Sequence, residues 1–469
     1  MLRRGFLLTI AGLGTWLGTQ AQQINWEGGD WPTVWNKAAE QKKILFAELL
    51  LPPDVRKIPE KERIALTRSV YSPGIQVAEL FNKQLLSWKS DIDTTRAYPA
   101  RRYVTGALPA AFMADAAENR VLYRFDGLPA SDADMLQAMR EAEDERKDKM
   151  TLAQYQDPLD AGTLPEPMML KYMQKRKRLQ LDNDQVLHLY LVKVSSDIHK
   201  VSDSALRVAE RYETSFEGTG AKYYISNIRQ VYASVHKGDS AAVHAVVLRW
   251  ARQTLKKAIA ERNESALEAT FQRLGAADPA LLTEYGDKLG MEFYKSMGNT
   301  SMYLSFLKRD AERICRIQDT LMEKRSEVFR AAATQQLRKE AVANKVDPDY
   351  YLQQHMNVLD TGSLSYREAA LLKEYASVVN ERFAHDEYTM TDAIRWIEKA
   401  IIWRENKGGD VVELYFIYAQ LLYKSRREAE AQVMYGRMLE RNNQFAYPDA
   451  GELRQWQNQW TALTAKKQR

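Results

Sequence analysis

With 469 residues, 67 Lys and Arg against 62 Asp and Glu, and a formal net charge of +5, the chain is nearly neutral for its length. That balance implies neither a nucleic-acid partner nor an anionic membrane surface. Its one cysteine, Cys315, excludes an intramolecular disulfide, so stability must come from burial, and the length suffices for two or three domains at ~150 residues each.

At the start, Arg3 and Arg4 precede an apolar run to about Gly18, and Thr19-Gln20-Ala21 has the small-x-small form of a cleavage site. Residues 1–21 read as a signal peptide, too short for a membrane span. The order Arg3-Arg4-Gly5-Phe6-Leu7 also resembles a twin-arginine export signal, and a general secretory signal fits as well. Either route places the mature chain, from near Gln22, in the periplasm or outside the cell. No cysteine stands at the cleavage site, which argues against a lipoprotein anchor.

Trp31–Gln41 carries Trp35, Ala38 and Ala39 at helical spacing. Ile44–Leu51 is an apolar run broken only by Glu48, as expected of a buried strand. Residues 69–83 read as a helix and Leu85–Asp91 as a strand. The run 103–113 is entered through Gly106 and Leu108-Pro109. It reads as a strand led by proline, which cannot donate to a ladder from mid-strand and is often cis where a tight turn delivers the chain into a sheet. A turn over 115–119 and a strand over 120–127 complete a hairpin, with Val121, Tyr123 and Phe125 alternating with Arg120, Leu122, Arg124 and Asp126. Residues 131–143 form a last helix.

This order of elements resembles exported thioredoxin-like domains. The resemblance rests on Lys42-Lys43-Ile44, Val70-Tyr71-Ser72-Pro73, Asp91-Ile92-Asp93, Val104-Gly106-Pro109-Phe112-Asp115 and Val121-Leu122-Arg124-Gly127. It covers residues 22–150 and implies a thioredoxin fold. A redox-active member carries Cys-x-x-Cys directly after the first core strand, where a helix N-terminus stabilises the thiolate. Here that place reads Leu51-Pro52-Pro53-Asp54-Val55-Arg56-Lys57-Ile58-Pro59, with no sulfur. The thiol-disulfide oxidoreductase or isomerase activity that the fold would suggest therefore lacks its reactive group. What the resemblance leaves is the family's shallow groove, in which Leu108 and Pro109 would face Leu51, Pro52 and Pro53. Such a groove holds extended polypeptide by backbone pairing and apolar contact. The competing reading is a domain that only caps the rest of the chain.

The charged run 141–149 and the proline-bearing stretch 157–167 read as a helix end followed by a linker. Beyond Pro167, apolar residues recur at three and four: Met169, Tyr172 and Met173; Leu187, Tyr190, Leu191 and Val194; Tyr224, Ile225, Ile228, Val231 and Tyr232. The remainder is therefore helical, in antiparallel hairpins, with 309–344 left open as one helix or two. Near the end, 392–400, 419–423 and 430–435 resemble tetratricopeptide helices, with Ala419, Ala431 and Tyr435 where paired helices cross. Ala393 and Ala431, like Ala400 and Met438, stand about 38 positions apart, near the usual ~34. The expected fold class is an α/β thioredoxin-like domain over 22–150, then an all-α helical-repeat (α-solenoid) region. The latter comprises helices over 151–385 and tetratricopeptide-like repeats over 386–469.

The histidines, His188, His199, His236, His244, His355 and His385, show no zinc-binding spacing. Gly218-Thr219-Gly220 follows no strand, so it does not read as a phosphate loop. Arg313 and Arg316 could lower the Cys315 thiol pKa, against a plain packing role. Lys171–Arg178 is rich in basic residues and reads as a solvated helix face, with a docking patch as the other reading. No catalytic residue, metal or cofactor is expected. The function read from the sequence is a redox-inactive envelope module, chaperone-like or scaffold, with a polypeptide partner and no integral membrane span.

Overall fold

In the computed structural model, the described residues are 24–51, 74–91, 99–103, 108–125, 127–129, 131–195, 201–343, 346–355, 359, 363–405, 411–445 and 450–465. The chain first runs β1 (Trp26–Glu27), α1 (Trp31–Gln41), β2 (Ile44–Leu50), α2 (Ile75–Gln84) and β3 (Leu85–Asp91). A 3-10 turn at Pro99–Tyr103 leads to β4 (Ala110–Asp115), β5 (Arg120–Arg124) and α3 (Asp132–Lys147). The sheet order is β1-β3-β2-β4-β5. β1 and β2 lie parallel to β3, β4 is antiparallel to β2, and β5 is antiparallel to β4.

β2 has neighbours on both sides, and all of its residues are buried, which is why an almost unbroken apolar run forms it. Its side chains alternate between two cores. Ile44 and Phe46 meet Val77 and Phe81 of α2 and Met135, Ala138 and Met139 of α3. Leu45, Ala47 and Leu49 meet Trp31, Val34 and Ala38 of α1 together with Tyr103. Helices therefore cover both sheet faces. The buried face of α1 is Trp31, Val34 and Ala38, with Trp35 and Ala39 at its margin, rotated from the face expected. Asp30 caps this helix by accepting from the Thr33 amide, and Ser131 caps α3 in the same way. The start of the expected second helix, 69–73, lies outside the described residues.

The regular alternation expected along β5 is broken. Met113 pairs with Tyr123 but Ala114 pairs with Val121, so Leu122 is an extra residue in a bulge. Leu122 and Tyr123 consequently both join the α2–α3 core, while Val121 joins the α1 core.

From Asp148 onward the described chain contains helices and no strand. They are α4 (Leu152–Asp160), α5 (Glu166–Arg178), α6 (Asp184–Val194), α7 (Asp203–Tyr212), α8 (Thr219–Ser226) and α9 (Ser240–Glu261). After these come α10 (Glu264–Ala277), α11 (Pro279–Met297), α12 (Thr300–Cys315), α13 (Asp319–Ala343) and α14 (Pro348–Gln354). The last are α15 (Leu364–Arg382), α16 (Glu387–Arg404), α17 (Val411–Lys424), α18 (Glu428–Phe445) and α19 (Ala450–Ala465). The stretch 309–344 thus holds two helices, α12 and α13, with a break before Asp319. Much of the expected linker 157–167 is helix. Pro158 sits in the last turn of α4, which starts from a Thr151–Gln154 capping box and is held by buried Tyr155 and Leu159. Tyr155 stacks on Tyr172 of α5 at 5.1 Å, and that burial outweighs the proline's lost hydrogen bond. No helix among the described residues is long and apolar enough to cross a membrane.

The contacts divide the chain into two compact units, residues 1–253 and 254–469. In the first, the sheet and the early helices share a buried ionic cluster. Glu145 of α3 is 1% exposed, and Lys175 and Arg178 of α5 are 3% and 7% exposed. Lys175 donates to Glu145 and also reaches Asp148 at 3.2 Å; Arg178 meets Glu145 at 3.3 Å. Arg120 of β5 lies 3.6 Å from Glu145 and donates to the Asp148 carbonyl at 2.7 Å. Arg124 of β5 donates to the Leu179 carbonyl at 2.8 Å. Burial pushes the Glu145 carboxyl above its usual range, against the pull of Lys175. The basic run 171–178 is therefore not a uniformly solvated face: Lys175 and Arg178 turn inward, while Lys171 and Lys177 stay exposed.

In the second unit, fully buried Asp310 of α12 accepts from the Tyr375 hydroxyl of α15 at 2.7 Å and from Arg313 at 2.7 Å. Ala393, Ala400, Ala419, Ala431 and Met438 are wholly buried along α16–α18, and Tyr435 stacks on Trp460 of α19 at 4.6 Å.

Removing one member of a buried ion pair strands its partner's charge. Lys175→Met should lower stability by about 3 kcal/mol, read as a fall in the urea midpoint, and adding Glu145→Leu should restore much of it.

Candidate functional site

The β2–β4 register sets Leu49 opposite Ala110. Leu51 lies two residues beyond the first and Leu108 two before the second, so both leave the sheet at the same end, with Pro109 between Leu108 and β4. Leu51, Leu108 and Pro109 are half-buried, and the Leu108–Pro109 peptide is cis. Pro52 and Pro53 lie outside the described residues. The structure thus brings together three of the five groove residues read from the sequence. Glu48, the one charged residue of β2, is wholly buried three residues before Leu51.

An aromatic wall lines the face of the sheet that α1 covers. Trp31 lies 4.9 Å from Trp35 and 5.2 Å from Trp88, and Trp35 stacks on Tyr103 at 5.0 Å. Tyr103 in turn stacks on Phe112 of β4 at 5.6 Å. The Trp88 indole N–H donates to the Gly29 carbonyl at 3.0 Å, and the Tyr103 hydroxyl donates to Asn119 at 3.0 Å. Rings whose polar atoms are bonded in this way sit rigidly. Leu108 packs against the wall, as do Ala39 and Val121, so the wall holds Leu108 in place. Sequence reading missed the wall, although Trp31 and Trp35, one helical turn apart, carried its signal.

No protein-family model and no curated protein matches the sequence.

The remaining candidates resolve into structural roles. The Gly218-Thr219-Gly220 stretch opens α8, but the Thr219 amide and the amides flanking the stretch are already engaged. Glu213 accepts from the Thr214, Ser215 and Ala221 amides at 2.8, 3.0 and 3.3 Å, and Asp184 accepts from the Thr219 amide. Burial pushes the Glu213 carboxyl above its usual range, against the pull of those amides. The chain's own carboxylates fill the place an anion would take. Among the described histidines, His236 bonds Glu210 at 2.9 Å and His355 bonds the Tyr351 carbonyl at 2.7 Å. No three His, Cys, Asp or Glu side chains among the described residues are grouped to hold a metal ion. Cys315 ends α12, half-buried, and burial, reinforced by the Glu312 charge, pushes its thiol up to about 11. That direction is opposite to the activation that neighbouring arginines would bring.

Two measurements follow from this geometry. Below about pH 9, Cys315 in the folded protein should hold roughly a hundredfold less thiolate than in the unfolded chain. Its reaction with a disulfide reagent should be correspondingly slow at pH 8, rise as pH approaches 11, and become fast in denaturant. At position 218, a Cβ would overlap the Glu213 carboxylate. Gly218→Ala should therefore lower the melting temperature, with a loss of about 1–3 kcal/mol.

Proposed function

We propose that this chain is a redox-inactive thioredoxin-like protein that holds extended polypeptide at the sheet end formed by Leu51, Leu108 and Pro109. It acts as a chaperone-like or scaffold module of the cell envelope, exported through the signal read over residues 1–21. The observation that carries the proposal is the register that delivers Leu51 and Leu108-Pro109 to one end of a mixed sheet, with Leu108 packed against the aromatic wall. Parallel β1, β3 and β2, the antiparallel β4–β5 hairpin and helices on both faces support the thioredoxin-like reading. An extended segment laid across this end meets half-buried apolar side chains, the mode in which alternate side chains of a peptide fill a groove.

The lone thiol, raised by burial, supports a non-catalytic role. Thiol-disulfide exchange needs a thiolate at neutral pH, and the sequence has no second cysteine to complete a dithiol. The helices after Lys147 are read as a repeat array, tetratricopeptide-like over 386–469. Small buried Ala393, Ala400, Ala419 and Ala431 support that reading by allowing neighbouring helices to approach closely.

The test is fluorescence anisotropy with a labelled peptide of alternating Val and Ser. The protein should bind it saturably, and the Leu51→Asp, Leu108→Asp double variant, with an unchanged circular dichroism spectrum, should bind about tenfold or more weakly. Equal affinity in the folded variant would remove the groove from the function.

A further inference from the structure

A cleft of about 280 Å³ lies between α5 and α7, lined by Leu170, Lys171 and Gln174 from one helix and Arg207, Val208, Arg211 and Tyr212 from the other. Lys171, Arg207 and Arg211 are exposed, and Lys177 and Arg249 stand nearby. The cations here face one another with few carboxylates between them. Lys171 makes no hydrogen bond or ion pair among the described residues. Arg207 donates to the Val235 carbonyl at 2.8 Å, and the Arg211 guanidinium lies over the Tyr212 ring at 5.4 Å. Lys177 donates to the Arg211 carbonyl at 3.0 Å and Arg249 to the Glu210 carbonyl. Carboxylates act on these cations at range, Asp203 on Arg207, Glu210 and Glu213 on Arg249, and Glu141 on Lys177. Their closer partners are other groups, Gln230 and Ser234 for Asp203, His236 for Glu210, backbone amides for Glu213 and Arg178 for Glu141. Burial, then the charges of Arg249 and Arg211, push the Lys177 ammonium below its usual range. Like charges are crowded here, and among the described residues no carboxylate forms a direct ion pair with Lys171, Lys177, Arg207 or Arg211.

We propose that the α5–α7 cleft binds an acidic, extended segment of a partner polypeptide. The spacing selects that ligand. At ~1.5 Å rise per residue, Lys171 and Lys177 are spread over ~9 Å of α5 and Arg207 and Arg211 over ~6 Å of α7. Side chains on one face of an extended chain recur every ~7 Å, so carboxylates on alternate residues meet successive cations. A single inorganic oxyanion is too small to reach them all. The lining residues lie beyond the first turn of each helix, so their amides are spent on helical bonds and the site lacks the backbone nest that phosphate sites use. Leu170, Val208 and the Tyr212 ring give the segment's aliphatic parts an apolar floor. None of these residues belongs to the Leu51–Leu108 groove, and the two proposals stand separately.

The test is anisotropy with a labelled peptide of alternating Glu and Val, in low and in raised NaCl, against an alternating Lys and Val control. The protein should bind the acidic peptide saturably and more weakly in raised salt, and should not bind the control. Lys171→Glu and Arg211→Glu should each weaken binding about tenfold. Lys171→Gln, which removes a side chain with no partner, should weaken it about threefold, so the result does not depend on tolerance of a reversed charge. The Leu51→Asp, Leu108→Asp variant should bind the acidic peptide unchanged. Absence of saturable binding, or affinity unchanged in all three cleft variants, would overturn the proposal. So would displacement by millimolar inorganic phosphate or by a sulfated polysaccharide as effective as that by unlabelled peptide, which would make the cleft a general anion site.

Discussion

The carboxylate of Glu145, enclosed by Lys175, Arg178 and Arg120, is the constraint on which the first unit depends. A lone carboxylate at 1% exposure would be driven to protonate or to reach water. Three cations, two from a later helix and one from the hairpin, hold it in place. Because they come from separate elements, the cluster fixes α3, α5 and β5 together in one geometry. Apolar burial alone would tolerate more sliding, since it has no preferred direction. This coupling, with the Arg124 to Leu179 and Gln180 to Arg124 backbone bonds, explains why the sheet and the helices up to residue 253 count as one compact unit. The change from mixed sheet to helices at about residue 150 is a change of element type inside a body held by charge.

The same economy shapes the sheet end. Trp31 and Trp35 belong to α1, Trp88 to β3, Tyr103 to the 3-10 turn and Phe112 to β4. The five rings arrive on four different elements, so the wall exists only when the sheet is assembled. Leu108 leans on it and enters β4 through Pro109, which lacks the N–H a mid-strand position would need. The position of Leu108 is therefore backed by the core and set by register.

Much of the fold was legible because it is written locally. Trp31–Gln41 and Leu85–Asp91 were bounded from the sequence as the structure has them, since apolar periodicity and flanking turns act within a few residues. The failures depend on partners far along the chain. The Leu122 bulge is a property of pairing with Met113 and Ala114, and no pattern inside β5 announces it. Lys175 and Arg178 look like solvated charges until Glu145 is placed against them. Pro158 looks like a linker residue until Tyr155 and Leu159 are seen to be buried. That Leu51, Leu108 and Pro109 leave the sheet at one end follows from the β2–β4 register. The aromatic wall was legible only as the Trp31–Trp35 pair, because its other rings come from three further elements.

Helix α5 shows how one short stretch serves two physical ends. Lys175 and Arg178 are spent on Glu145 and fix the helix, while Lys171 and Lys177 remain exposed, facing the α7 cations Arg207 and Arg211. Mutual repulsion among exposed cations would push two free helices apart by Coulomb forces alone. Here α5 is anchored by its buried ions and α7 by buried Leu206, Ala209 and Tyr212, so the repulsion is retained in the assembled unit. An anionic segment entering the cleft meets cations already in place and orders little of the protein on binding. Preorganisation of that kind reduces the entropic cost of association. The buried cluster thus supplies the rigidity that lets an otherwise unfavourable concentration of surface charge persist.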